Sequence, residues 1–494
     1  MKLLALMTAA VALTSTVRAV GPFGAQTARF PVPKANKNRA EMNDNSEEYF
    51  FTTNLDWFDK EGNSPTFQMR YLIDRTYWDP ETGPILFYAG NEGDVYSFYD
   101  NVGFMTETIA QETKGLIVFG EHRYFGVSYP YEPSEAFTPE HNIYLTVEQV
   151  MMDYTELVKY VREEYQMEDK ACIVFGGSYG GMLAAWLRMK NPHVFQGSLA
   201  ASAPFLYFKN APSAPEYAYA EIATTDFRTQ LDKSPELIKE SFQYMMDATE
   251  DKYDEMSEIF ATCTPISNSS DITHLYAHYS NGYQYMAMTD YPYPAAFLEP
   301  MPAWPIKEAV KPFADIPVLS EYNKQNEASK VGSFFRKLTS TFGSSQEEES
   351  SGLTDRERTL FTALAESTNV YFNATGQYPC TNLSDWEGTG DLDGYGWNIL
   401  ACNQMAMPIG YGSDSMFLEQ SFDYDAYTTW CQNSFGLTPD YDWALRYFGG
   451  FDIDKDFLAA TNAIYSNGEL DPWRAGGLNS NVTADGSGIA LYIE

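Results

Sequence analysis

Residues 172–181 read CIVFGGSYGG, an apolar run that breaks into four glycines fenced around one serine. No other stretch limits so sharply what this chain can fold into. Cys172 to Phe175 favour a strand buried on both faces. The glycines suit a turn too tight or too crowded for ordinary side chains. The following MLAAWLRMK is rich in strong helix formers. Strand, glycine turn and helix are the context in which Gly176-Gly177-Ser178-Tyr179-Gly180, a G-x-S-x-G motif, holds a serine above the end of a sheet. The helix N-terminus behind it favours developing negative charge. A plain glycine turn would explain the motif alone, but the flanking strand and helix argue for a nucleophile at Ser178.

The same rhythm recurs along the chain. PILFYAGNEG (84–93), GLIVFGEHRYFG (115–126) and GSLAASAP (197–204) are apolar runs ending in turn residues. Between them, TVEQVMMDYTELVKYVREEY (146–165) places Val147, Val150, Met151, Tyr154, Leu157, Val158 and Val161 at helical spacing. Apolar strands alternating with helices predict an α/β fold with a mostly parallel sheet covered on both faces. After Pro204 the rhythm stops. Residues 205–370 are rich in Tyr, Met, Glu and Ala at helical spacing, and SSQEEESSG (344–352) is polar enough to predict disorder. Strand signals return in ATNAIYSNGELDPW (460–473) and GIALYIE (488–494). The expected layout is a sheet domain in two parts, 20–204 and 371–494. A helical cap, 205–370, is inserted between them, with a disordered segment near 340–353.

The turn after the first of these strands, GNEG (90–93), bears on the serine. An oxyanion needs two backbone N–H donors, one from the residue after the nucleophile and one from the loop after an earlier strand. Tyr179 would supply the first, and Asn91 or Glu92 the second. An ordinary turn is the alternative reading of GNEG.

Charge and cysteine content narrow the setting. With 68 acidic against 32 basic residues, the formal charge is −36. Such a surface excludes nucleic acid and anionic membranes as partners and suits an acidic or extracellular medium. The start, MKLLALMTAAVALTSTVRAVGPFG, has Lys2, an apolar stretch and Val17-Arg18-Ala19, so residues 1–19 read as a secretory signal. No later segment offers the roughly 20 apolar residues of a membrane span. The five cysteines are too scattered for a zinc motif, and nothing in the chain calls for a metal or cofactor. In an oxidising compartment they predict two disulfides and one spare thiol, with Cys172 in its apolar strand the natural unpaired one. Sequons at Asn268, Asn373, Asn382 and Asn481 agree with a secretory route.

Taken together, FYAGNEGD, EHRYFGVS, GGSYGGMLAAWLRMKNPH, AASAP and SNGELDPWRAGG resemble the family of lysosomal Pro-Xaa carboxypeptidase, dipeptidyl peptidase II and thymus-specific serine protease. The resemblance runs from about Tyr49 to the last residue, in the same order, and weakens only in the cap. It implies an α/β-hydrolase fold with the cap inserted after AASAP. It also implies exopeptidase activity on short peptides next to proline, in a lysosome, vacuole or the medium; a homodimer stays open. Carried over residue by residue, it makes Ser178 the nucleophile and Asp471 the acid of a triad in the order Ser, Asp, His. It makes Met182 and Trp473 part of a proline pocket. Asp471-Pro472 as a plain turn, and Met182 as plain core, are the competing readings. The resemblance also pairs Cys402 with Cys431, and Cys263 with Cys380 in a bridge tying cap to base. A further family cysteine is replaced by Gly410.

One element is missing. A serine hydroxyl needs an adjacent base, and His122, His141, His193, His274 and His278 all precede Asp471. The family's histidine lies in a loop after the last strand, where this sequence stops at Glu494. We read this as an incomplete C-terminus. The alternatives are a relative that binds peptides without cutting them, or a substitute histidine. Of these, His122 in EHRYFG is the best placed, although that motif is itself a family feature. A lipase or esterase shares the serine turn but usually carries an HGGG-type loop in place of GNEG.

Overall fold

Five parallel connections build the centre of the sheet. The computed structural model describes residues 45–324, 352–383, 393–482 and 486–493. The expected leader at 1–19 and nearly all of the 340–353 stretch lie outside the described residues. Eight strands form one sheet: β1 Ser46–Asn54, β2 Thr66–Asp74, β3 Ile85–Ala89, β4 Leu116–Gly120, β5 Cys172–Gly177, β6 Gly197–Ala201, β7 Ala463–Gly468 and β8 Gly488–Ile493. Their order is β1-β2-β4-β3-β5-β6-β7-β8. β2 runs antiparallel to β1 and β4, and every other pair is parallel. The central strands β3 and β4 are buried at every residue, as apolar strands covered on both faces must be. With the serine turn after β5, this is the α/β-hydrolase fold.

Helices cover the sheet. In α1 (Val147–Tyr165) the Thr146 side chain accepts from the Gln149 N–H, and the apolar stripe named above faces inward. In α2 (Tyr179–Lys190) ten of twelve residues are buried, because the helix runs between β5, β6 and the helices outside them. Between β6 and β7 the chain leaves the sheet for α3 (Ala218–Gln230), α4 (Ser234–Met246), α5 (Ser269–Met288) and α6 (Asp355–Phe372). Reciprocal caps, Asn268 with Asp271 and Thr354 with Glu357, fix the starts of α5 and α6. These helices share a core of their own, running from Ala220 to Phe417, separate from the main core around β3 to β7. α7 (Gly394–Leu400) and α8 (Tyr424–Phe435) return to the main core. Among the described residues no helix is long and apolar enough to cross a membrane.

Disulfides join Cys263 to Cys380 and Cys402 to Cys431, and Cys172 is free and buried. The first bridge departs from expectation. It does not tie cap to base but closes the helical layer on itself. Thr381 donates its hydroxyl to the Phe260 carbonyl at 2.9 Å, and Leu383 packs in the same helical core.

Candidate active site

At the end of β5 the chain turns so sharply that Ser178 takes φ 55°, ψ −126°. Residues with a side chain rarely hold such a conformation, and it persists only where the surroundings over-determine it. Here the Ser178 N–H donates to the Ala201 carbonyl on β6 at 2.9 Å, and the Met182 N–H donates to the Ser178 carbonyl at 3.1 Å, starting α2. A Cβ at Gly176 would stand 2.0 Å from the Gly180 carbonyl oxygen. One at Gly180 would stand 2.7 Å from the Ala89 oxygen and 2.9 Å from Asn91 Oδ1. The bare backbone at 180 thus lets the loop after β3 lie against the turn. Asn91, Glu92, Ser178 and Tyr179 consequently line one cavity.

β7 delivers Asp471 to the same edge of the sheet. Asp471 Oδ1 accepts from the Trp473 N–H at 2.9 Å, while Oδ2 is buried without a hydrogen-bond partner. Burial raises the Asp471 carboxyl, opposed by the Ser202 hydroxyl, the Trp473 N–H and Arg474. Trp473 packs against Tyr219 of α3 with the rings tilted by 59° and their centroids 4.8 Å apart, and donates Nε1–H to the Met288 sulfur at 2.8 Å. Ser178, Asp471 and Trp473 all line the cavity of about 700 Å³ between the strand ends and the helical layer, a size typical of small-molecule sites. Met182 does not join them. It is fully buried in the main core, on the inner face of α2, and the methionines that line the cavity are Met105, Met288 and Met407 instead.

None of the five histidines lines the cavity. His122 is fully buried, and both its nitrogens are used. Nδ1 lies 2.7 Å from the Arg123 carbonyl and must donate to it, so Nε2 accepts from the Tyr179 O–H at 3.0 Å. Burial lowers its pKa to about 3. His122 therefore braces the residue after the serine, and its ring has no lone pair left to take the serine's proton. His141 stacks on Tyr131, His278 stacks on Phe372 in the helical layer, and His193 is exposed beyond α2.

The cavity wall is acidic. Glu92 accepts from Asn91 Nδ2 at 2.8 Å, and burial raises its pKa. Asp393, before α7, accepts from the Gly396 N–H at 3.0 Å and is likewise raised by burial. Asp226 on α3 and Asp290 after α5 complete the set. Glu92 lies in the GNEG turn named above, but no local pattern marked Asp226, Asp290 or Asp393, since each enters from a helix or loop remote in sequence. Elsewhere, Asn268, Asn382 and Asn481 are exposed and Asn373 is half-buried. Asn268 caps α5, and Asn481 Oδ1 accepts from the Ala490 N–H at 2.8 Å.

Comparison with known proteins agrees with this geometry. The family model described as serine carboxypeptidase S28 matches residues 53–494. Human lysosomal Pro-X carboxypeptidase is 34% identical over 479 residues, covering 96% of this chain and 86% of the relative. The Bos taurus protein of the same name is 36% identical over 424 residues, covering 85% and 76%. Prolyl carboxy peptidase like protein 5 of Caenorhabditis elegans is 32% identical over 453 residues, covering 87% and 80%.

Proposed function

The chain belongs to the serine carboxypeptidase S28 family and is a serine-type peptidase, and from that premise we propose that it is an exopeptidase cutting short peptides next to proline. Ser178 Oγ attacks the scissile carbonyl and forms an acyl-enzyme. The N–H groups of Tyr179 and of Asn91 or Glu92 receive the oxyanion. Asp471 orients an imidazole that takes the serine's proton and passes it to the leaving amine. Water then releases the acid product by the reverse path. Trp473 and Met288 offer a flat indole and a soft thioether to a rigid proline ring. The relatives' printed names favour release of the residue after proline.

The observation that carries this reading is the orphaned Asp471 Oδ2, buried in the cavity that Ser178 lines. A buried carboxylate oxygen without a donor costs free energy unless some group uses it. An imidazole N–H is the donor that serine catalysis requires there. The end of β8 lies beside the Asp471 turn, where the Ile493 carbonyl accepts from the Glu469 N–H at 2.8 Å. The acid-rich surface, the two disulfides and the relatives' names support a secretory route ending in a lysosome, vacuole or the medium, with Asn268, Asn373, Asn382 and Asn481 as glycan sites.

Chemical rescue tests the proposal. An N-blocked Pro-Phe dipeptide is given to the 494-residue chain with and without free imidazole. Phenylalanine release should rise with imidazole and vanish in Ser178→Ala and in Asp471→Ala. A fluorophosphonate should label Ser178 in the rescued chain. Equal release from Ala-Phe and Pro-Phe, or rescue that survives loss of Asp471, would refute the assignment.

A further inference from the structure

Helix α3 packs over the turn that carries Asp471 and sends one acid into the cavity wall. Asp226 is 2% exposed, and both of its carboxyl oxygens are buried without a hydrogen-bond partner. Such a group is rare in a folded protein and calls for a use. The charged groups that face it are Asp290 just past α5, and Asp471 and Arg474 on the turn after β7. Asp290 is partly satisfied, since its Oδ1 accepts from the Ile306 N–H at 3.0 Å. Arg474 is engaged elsewhere, donating to the Glu469 carbonyl at 2.5 Å and lying over the Tyr492 ring. Among the described residues the cavity lining holds five carboxyls, Glu92, Asp226, Asp290, Asp393 and Asp471, and neither Lys nor Arg.

A carboxypeptidase binds a substrate that ends in a carboxylate. Bringing that anion into a wall of carboxylates would repel it, and among the described residues no Lys or Arg lines the cavity to offset the charge. A protonated carboxyl removes the difficulty, because it is neutral and has an O–H to give. Burial first, then repulsion from Asp290 and Asp471, pushes the Asp226 carboxyl up to about 9 against the pull of Arg474. It therefore keeps its proton through acid and neutral pH, as a carboxylic acid in an apolar site does.

We propose that Asp226 reads the free C-terminal carboxylate of the substrate, donating its carboxyl O–H to it. The inference rests on the exopeptidase reading above. It makes the site select the free acid over the amide without a basic residue. The bond, an O–H donating to an anionic oxygen, belongs to the stronger class of hydrogen bonds.

Equilibrium binding tests this without requiring turnover. A dye-labelled peptide ending in Pro-Phe is offered as acid and as amide to the Ser178→Ala chain at acid pH, and binding is read by fluorescence anisotropy. The acid should bind roughly tenfold tighter or more, as expected for a charge-assisted bond. Asp226→Ala should erase that preference. Asp226→Asn should keep most of it, because its amide has the same shape, no charge and an N–H to donate. Melting curves show that each variant is folded. Equal binding of acid and amide to the parent chain, or equal loss in the Asn and Ala variants, would overturn the proposal. The latter, joined to tighter binding of peptides with a free N-terminal amine, would identify Asp226 as an ionised partner for an ammonium group. A peptide with Ala for Pro that binds equally well would sink the proline reading while leaving the acid-against-amide comparison intact.

Discussion

Removing Asp153 should loosen the brace behind the Ser178 turn. Asp153 on α1 and Arg123 after β4 form an ion pair in which both side chains are fully buried, with Nε–H donating to Oδ2 at 2.6 Å. Arg123 also donates to Asp153 Oδ1, and to the carbonyls of Leu55 at 2.7 Å, Tyr144 at 3.2 Å and Asn54 at 3.0 Å. Asp153 Oδ1 further accepts from Thr53 and Trp57. Asp153→Ala leaves a guanidinium buried with carbonyls alone, a loss of about 3–5 kcal/mol. At about 2.1 cal/mol/K of unfolding entropy per residue, a chain of 494 residues loses roughly 1 °C of melting temperature per kcal/mol. Calorimetry should therefore show a fall of about 3–5 °C. Asp153→Asn, which keeps the shape, should lose nearly as much, because unpaired charge rather than lost volume carries the penalty. Replacing both partners by apolar residues, Arg123→Met with Asp153→Leu, should recover much of the loss. A shift under about 1 °C in the single variants would refute this reasoning. The Arg123 carbonyl holds His122, and His122 holds Tyr179, so fluorophosphonate labelling of Ser178 should slow in the same variants.

Two further outcomes follow from buried titratable groups. The Cys172 thiol is pushed up to about 12 by burial, so iodoacetamide at mildly alkaline pH should leave it unmodified in the native chain and alkylate it after unfolding, as mass spectrometry would read. Asp226 has a folded-state pKa above its unfolded value, so its contribution to stability is fully present below about 4 and is lost as pH rises towards 9. Melting temperature should accordingly fall less between those limits in Asp226→Asn than in the parent, and an unchanged slope would contradict the assigned shift.

The serine turn was legible because its causes are local. Gly176 and Gly180 answer to backbone atoms a few residues away or on the adjacent strand, and the motif carries that steric demand in its spelling. Asp471 was singled out by the resemblance of NGELDPW to the family motif and not by any local steric demand, and the structure brings it to the cavity that Ser178 lines. The strand pair β1 and β2 was not read as such. β2, TFQMRYLID, buries Arg70 and Asp74, so an apolar run was the wrong template. Arg70 is tolerated because Glu121, next to β4, Asp94 and Glu48 pair with it. Met182 was misplaced because a helix motif does not say which face meets the sheet, and that face is decided by β5 and β6. Asp226 had no signal at all. In AYAEIATTDFRTQ it looks like one more solvent-facing acid, and only the packing of α3 over the Asp471 turn turns it inward.

The pairing of Ser198 with Ala463 on neighbouring strands carries a consequence for timing. A ribosome completes the bend at Ser178 long before it makes Asp471, and the whole helical layer is threaded out in between. The cavity that both residues line therefore takes shape only when β7 docks against β6, late in the making of the chain.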